Sequence, residues 1–158
     1  MAKIRRDAMI EITDLTGHNL FLVPDSIIQI YYADYRTSAS GSVVLYDGSM
    51  QATRERAEDL VARIKDRVPL IDLHIVSSGS SAPSFPIWLS ASHIVGLKAT
   101  PNGTIVMAGL KAPELVIEDY SAVVKKMNAT KALVASLTGK AGSRSPALPS
   151  RSRSRNVR

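Results

Sequence analysis

The 158 residues are enough for one ordinary domain or two small ones. Hydrophobic residues make up 45% but aromatic residues only 5%, so the core must consist mainly of Ile, Val, Leu and Ala. The lack of cysteine excludes disulfides, thiolate metal ligands and thiol nucleophiles. Residues 1–119 hold 11 Lys and Arg against 14 acids (11 − 14 = −3), and residues 120–158 hold 9 basic residues and no acid. The chain is therefore a mildly acidic body with a basic end.

The N-terminal sequence MAKIRRDAMIEIT is basic but is not a signal peptide by pattern. Asp7, Glu11 and Asp14 interrupt the apolar run that a signal peptide requires. No stretch reaches the roughly 18 apolar residues that a membrane-spanning helix needs. We therefore expect a protein that is not secreted through a signal peptide and has no membrane span. We expect it to be cytoplasmic or virion-associated, in a bacterium or a bacteriophage.

Extended segments and turns alternate through the first half of the chain. In the turn DLTGHN, Gly17 is free to adopt positive φ, and Asp47-Gly48 is a strong hairpin signal. The segment DSIIQIYYADY places large side chains on both faces of a strand. The predicted extended segments are 8–12, 20–24, 25–35 and 43–46.

A helix is predicted over about 53–67. Thr53 is expected to cap its start, and Glu55 lies near the positive end of the helix dipole. Apolar residues recur at intervals of three and four, which makes one buried stripe. The stripe consists of Ala57, Leu60, Val61, Ile64 and Val68.

The same pattern restarts at residue 70. LIDLHIV is predicted as a strand, SSGSSAPS as a loop, and PIWLSASHIVGLKA parallels the earlier LFLVPDSIIQIYYA. A turn at 101–103 leads into a strand over 104–108. A helix is then predicted from about Ile117 to Met127, with a continuation to Leu137 and an end at Gly139.

The two halves match in element order and in the acid at each helix start, at offsets of 61 to 67 residues. This predicts two copies of a module of four short strands and one helix, over 9–68 and 69–137. An N-terminal extension (1–8) precedes them. One such module cannot bury both faces of its sheet, so the two are expected to pack as one pseudo-twofold unit. The predicted fold class is α+β and β-rich, with an open sheet or a closed barrel as alternatives, followed by a disordered Arg/Ser-rich tail over 138–158.

The first copy resembles the small flagellar motility proteins of the FlbD type. The resemblance covers about residues 9–65 and includes an L-x-G turn, an N-P-D-x-I-x-x-I segment in which Val23 replaces Asn, and a V-x-L-x-D-G hairpin. It implies a small single-module fold and no enzyme chemistry. The matching residues are Leu15, Gly17, Pro24, Asp25, Ile27, Ile30, Val43, Leu45, Asp47, Gly48 and Glu55.

Catalytic and metal-binding patterns do not stand out. His18, His74 and His93 lack partners at the spacing of a metal site. No G-x-S-x-G is present, and the Gly-containing turns lack the spacing of a phosphate-binding loop. The acid pairs 58–59 and 118–119 are expected at helix starts, where they favour the dipole. We therefore predict a non-enzyme without cofactor or metal; a weaker alternative is an enzyme that uses His74 or His93 at a module interface.

Two features are candidates for contacts. Trp88 is the only tryptophan; its simplest role is as a core anchor, and an exposed Trp88 would mark a protein-contact surface. The C-terminal arginines suit phosphates or an acidic protein surface, unless the tail only keeps the chain in solution. The tail candidates are Lys140, Arg144, Arg151, Arg153, Arg155 and Arg158.

Two functional hypotheses follow. The first is a structural or adaptor protein whose β-rich body contacts a protein partner, with the basic tail as an electrostatic attachment and homo-oligomerisation left open. The alternative is a nucleic-acid-associated protein whose tail binds the phosphate backbone.

Overall fold

The computed structural model describes residues 8–34, 41–76, 84–109 and 111–139. Within these ranges ten strands, two α-helices and two short 3₁₀ turns are present, which confirms the β-rich α+β class. Residues 1–7 and 140–158, which include most of the predicted extension and tail, lie outside the described residues.

The first half contains five strands, one more than predicted. Asp47 and Gly48 have φ of 42° and 76°, as a tight type I′ hairpin requires, so the predicted turn is confirmed. Thr53 as helix cap is wrong: Thr53 ends a strand and bridges to Asp14, and Arg56 stands at the N-cap. The elements are β1 (Ile10–Thr13), β2 (Asn19–Leu22), a 3₁₀ turn (Pro24–Ser26), β3 (Ile27–Tyr32), β4 (Ser42–Tyr46), β5 (Ser49–Thr53) and α1 (Ala57–Ile64).

The second half also contains five strands. Its helix starts later than predicted because a short strand precedes it, and the side chain of Asp119 accepts a hydrogen bond from the Ala122 amide at 2.8 Å. The helix ends at Gly139, so its predicted continuation through Leu137 is confirmed. The elements are β6 (Leu70–Ile75), β7 (Phe85–Ser90), a 3₁₀ turn (Ala91–His93), β8 (Ile94–Thr100), β9 (Gly103–Ala108), β10 (Glu114–Val116) and α2 (Tyr120–Gly139).

Eight strands form one antiparallel sheet in the order β5-β4-β3-β7-β6-β10-β9-β8. The remaining two, β1 and β2, pair with each other, and a single bridge between Asp14 and Thr53 links β1 to β5. Through that bridge the strand order runs from β2 at one end to β8 at the other. Among the described residues no ladder joins β2 to β8, so the sheet is not closed by pairing.

The seam between the halves is the pairing of β3 with β7. It matches Gln29 with Leu89, Ile30 with Trp88 and Tyr31 with Ile87. Four consecutive residues of β3, from Ile27 to Ile30, are buried, because both faces of this central strand are covered. The strand therefore lacks the alternation of a half-exposed strand.

The buried side chains form two clusters, one for each half. Two residues cross over: Ile28 of the first half lies in the second cluster, and Leu70 of the second half lies in the first. The first cluster consists of Ile10, Ile12, Leu22, Ile27, Ile30, Val44, Ala57, Leu60, Ile64, Val68 and Leu70. The second consists of Ile28, Ile71, Leu73, Ile87, Leu89, Ala91, Val106, Ala108, Val116 and Val123.

The two helices differ in how much of their length contacts the sheet. α1 buries Ala57, Leu60 and Ile64. Among the described side chains of α2 only Val123 is fully buried, and those from Lys131 to Leu137 are exposed. The last two turns of α2 therefore extend past the body.

Glycine is required where two strands approach closely at the start of β9. Gly103 has φ of 139°, and a Cβ built on it would overlap the carbonyl oxygen of Val116. Gly41 stands before β4 in the same relation to the carbonyl oxygen of Thr53. Apart from its chain neighbours, the described residues place no atom within 4 Å of a Cβ built on Gly109.

We expect Gly103→Ala to lower the free energy of unfolding by about 2 kcal/mol or more, because it adds both a steric overlap and an unfavourable φ. Gly109→Ala is the matched control and should change stability by less than about 0.5 kcal/mol. Denaturant titration of both variants tests this. Equal midpoints for the two variants would contradict the close approach of β9 and β10.

Candidate protein-contact surface

Trp88 lies on β7 at the seam, between Ile30 of β3 and Asp72 of β6. Its indole is half-buried and packs against the first cluster. The rings of Tyr32 and Trp88 meet edge to face, with centroids 5.7 Å apart and planes inclined by 69°. Trp88 is therefore a packing anchor of the seam that also keeps part of its ring accessible; its role in a protein contact stays a prediction.

The accessible side of Trp88 lines a cavity of about 430 Å³, which we call the Trp88 groove. Its aromatic wall is Tyr32 and Trp88, and the Tyr32 hydroxyl donates a hydrogen bond to Glu58 Oε1 of α1. That bond ties the wall to the helix and fixes the direction of the Tyr32 ring. The remaining lining residues are Val61, Lys65, Leu70, Asp72, His74 and Pro86.

The groove combines two apolar rings with charges of both signs. Glu58 and Asp72 are acidic and stay largely accessible, with side chains 46% and 62% exposed. Lys65 is exposed on the helix side. An aromatic centre surrounded by a polar rim is a common arrangement in protein interfaces. The sequence reasoning found Trp88 but missed Tyr32 and Glu58, because their meeting depends on how α1 lies over the sheet.

Each histidine has a hydrogen-bond partner among the described residues. His74 donates its amide to Glu118 Oε2 at 3.1 Å, and its Nδ1 lies 2.7 Å from Glu118 Oε1. His93 Nε2 lies 2.5 Å from the Asp25 carbonyl oxygen, and His18 Nδ1 lies 2.7 Å from Thr16 Oγ1. Glu118 was expected to serve the helix dipole, and the structure shows that it also holds His74. These partners account for the orientation of the three rings without a substrate.

A second cavity, of about 350 Å³, lies beside the seam. Its walls include Gln29, Tyr31 and Ile87, and the ion pair between Lys111 Nζ and Glu114 Oε2 spans 2.5 Å at its edge. Gln29 is 3% exposed, and its Oε1 has no hydrogen-bond partner among the described residues. Burial raises the pKa of Tyr31, and the charge of Glu114 raises it further.

The Tyr31 phenol should therefore ionise above the ordinary pKa of a tyrosine. Its folded-state pKa is above the unfolded value of about 10, so the unfolded chain loses the proton first and stability falls as pH rises past that value. We expect Tyr31→Phe to remove a step above the ordinary tyrosine pKa from the ultraviolet tyrosinate titration. Glu114→Gln should move that step to lower pH without abolishing the upward shift, because burial is the larger cause. An unchanged titration in Tyr31→Phe would contradict the burial of this hydroxyl.

Three properties concern the described residues only. They contain no group of three or more His, Asp or Glu side chains that could hold a metal ion. Neither of their helices is both long and apolar enough to cross a membrane. The six basic candidates of the tail lie outside them, so the structure does not place these side chains.

Comparison with family models, with curated proteins and with solved structures finds no match for this chain.

Proposed function

We propose that the protein is a non-enzymatic structural or adaptor protein whose β-rich body contacts a protein partner. The Trp88 groove is the observation that supports this proposal. Trp and Tyr dominate the binding energy of protein interfaces, and a partly accessible Trp held in place by Tyr32 needs little ordering before it binds. The resemblance of residues 9–65 to the FlbD-type proteins, which implies no enzyme chemistry, agrees with it.

We further propose that the body consists of two copies of one module in a pseudo-twofold arrangement. Matching hydrogen bonds support this, because they occur at corresponding positions in both halves. Ser42 Oγ donates to the Glu55 carbonyl at 2.9 Å, and Thr104 Oγ1 donates to the Glu118 carbonyl at 2.8 Å. The offsets between these residues are 62 and 63, as in the sequence comparison.

A basic side chain of each helix makes a second matching bond. Arg63 Nη2 of α1 donates to the Glu11 carbonyl at 2.8 Å, and Lys126 Nζ of α2 donates to the Asp72 carbonyl at 2.7 Å. The helix of each half is thus attached to the first strand of its own half in the same way. Periodic burial alone does not require side-chain bonds of this kind, so common ancestry of the halves is the simplest account.

The groove can be tested with a charge reversal on its rim. Lys65→Glu should weaken capture of the partner from native lysate by roughly tenfold, which corresponds to about 1.4 kcal/mol. Lys125→Glu on the exposed side of α2 is the matched control and should bind like the original protein. Equal loss in both variants, or in neither, would contradict a contact through the groove.

The division of charge favours a second candidate function, binding of the nucleic-acid backbone by the tail. Residues 120–158 carry 9 basic residues and no acid, and Lys125 and Lys131 of α2 are exposed. A cationic segment of this composition would bind any duplex with little sequence preference.

Truncation after Gly139 separates the two functions. If the body makes the contact, the truncated protein should still capture its protein partner, and nuclease treatment should not matter. If the tail makes it, duplex DNA should bind the full chain with an affinity that falls steeply with added salt, and the truncated chain should not bind. Electrophoretic mobility shift and pull-down, each at two salt concentrations, measure these outcomes.

A further inference from the structure

The segments that flank β8 in the chain have the same structural features as the segments that flank β3. A 3₁₀ turn precedes each strand, and in each turn the following amide bonds back to the first residue, Ile27 to Pro24 and Ile94 to Ala91. The amide of Asp47 bonds to Ser26 and that of Gly109 bonds to His93, which anchors both turns in the same way.

The ladders on the other side of the turns also match. The pairing of β3 with β4 is irregular just after Ile27, and the pairing of β8 with β9 is irregular just after Ile94. Each position of β8 therefore corresponds to the position of β3 that is 67 residues earlier (94 − 27 = 67). The same shift relates β7 to β2, which precede the two turns.

The two strands differ in what covers them. β3 is paired on both sides, by β4 and by β7, whereas among the described residues β8 is paired only with β9. Ile28 is fully buried in the second cluster, and its counterpart Val95 is 76% exposed. β8 thus presents an open backbone edge and an exposed apolar side chain. The corresponding edge of β3 is paired with β7, and the corresponding side chain, Ile28, is buried. An open edge of this kind readily accepts another strand.

We propose that β8 pairs with β2 of a second copy of this chain and so repeats the β3–β7 seam between molecules. This inference rests on the proposed correspondence of the two halves. The seam sets the register when 67 is added to each β3 residue number and subtracted from each β7 residue number. The pair Gln29–Leu89 then corresponds to Gly96 with Leu22 of the other copy, and Tyr31–Ile87 corresponds to Lys98 with Leu20. Val95 then packs into the first cluster of the other copy. Within one chain, Ile28 packs into the second cluster in the corresponding way. Strand addition provides the affinity through backbone hydrogen bonds, and the buried Val95 provides the specificity.

Other occupants of this edge fit the structure less well. The β2 strand of the same chain is the one alternative that uses the same register. The bond between His93 Nε2 and the Asp25 carbonyl oxygen joins the turns next to the two strands within one chain, but among the described residues no ladder joins β2 to β8. A foreign peptide would need its own apolar residue opposite Val95, whereas a second copy supplies the complementary surface by construction. Such a head-to-tail contact either closes into a symmetric assembly or continues into a chain.

Sedimentation velocity of the purified full-length chain over a range of concentrations tests the assembly. The mass should rise with concentration, and Val95→Lys should hold the protein as a monomer. Because Val95 is exposed, this variant should keep the unfolding midpoint of the parent. Leu133→Lys is the control: it also replaces an exposed apolar side chain with Lys, at a residue of α2 that is 55% exposed. This variant should assemble like the parent. A parent chain that stays monomeric, or equal assembly by Val95→Lys, would overturn the proposal.

Cross-linking tests the register. The chain has no cysteine, so Leu20→Cys and Lys98→Cys each introduce a single thiol. Residues opposite each other in an antiparallel ladder have Cα atoms about 4.5 to 5.5 Å apart, within the range that a disulfide spans. Under mild oxidation an equimolar mixture of the two variants should give a disulfide-linked heterodimer, and neither variant should do so alone. A chain that carries both substitutions and closes its disulfide internally at high dilution would show that β2 and β8 pair within one molecule, and would overturn the proposal.

The two proposals fail separately. Assembly is measured with pure protein, and partner capture is measured with groove variants that leave β8 intact. Loss of assembly in Val95→Lys with unchanged partner capture would support the inference independently of the Trp88 groove.

Discussion

The antiparallel pairing of β3 with β7 holds the molecule together, because it is the only ladder among the described residues that joins the two halves. Side chains of each half also pack in the cluster of the other half. Ile28 of the first half lies in the second cluster, and Trp88 of the second half packs against the first cluster. Neither half completes its core with its own residues. The seam is therefore a condition for both clusters and for the position of Trp88, so the Trp88 groove exists only when the halves are joined.

Local signals in the sequence predicted the elements with strong turn chemistry or clear periodicity. Asp47-Gly48 adopts the left-handed values that its residue types favour, and α1 follows the buried stripe of Leu60 and Ile64. β5 and β10 were missed because SMQAT does not alternate clearly and ELV has only three residues after a proline. Their existence depends on neighbouring strands, which a local pattern does not contain.

The candidate site was predictable only in part, for the same reason. Trp88 stands out by type, but the partners that shape its groove come from β3, α1 and β6 and meet through non-local pairing. Thr53 illustrates the opposite error, since its residue type suits a helix cap while its backbone is needed for the bridge to Asp14. The burial of both faces of β3 was visible in DSIIQIYYADY as apolar residues at odd and even positions. The second cluster, which covers the second face, was not visible in the sequence.

The exposed end of α2 extends the helix beyond the sheet. The described side chains after Thr130 are exposed, and the helix continues for nine residues to Gly139. At about 1.5 Å per residue, that stretch measures roughly 13 Å. This length exceeds a Debye length at ordinary ionic strength, so a charge at the end of the helix would be largely screened from the acidic residues of the sheet.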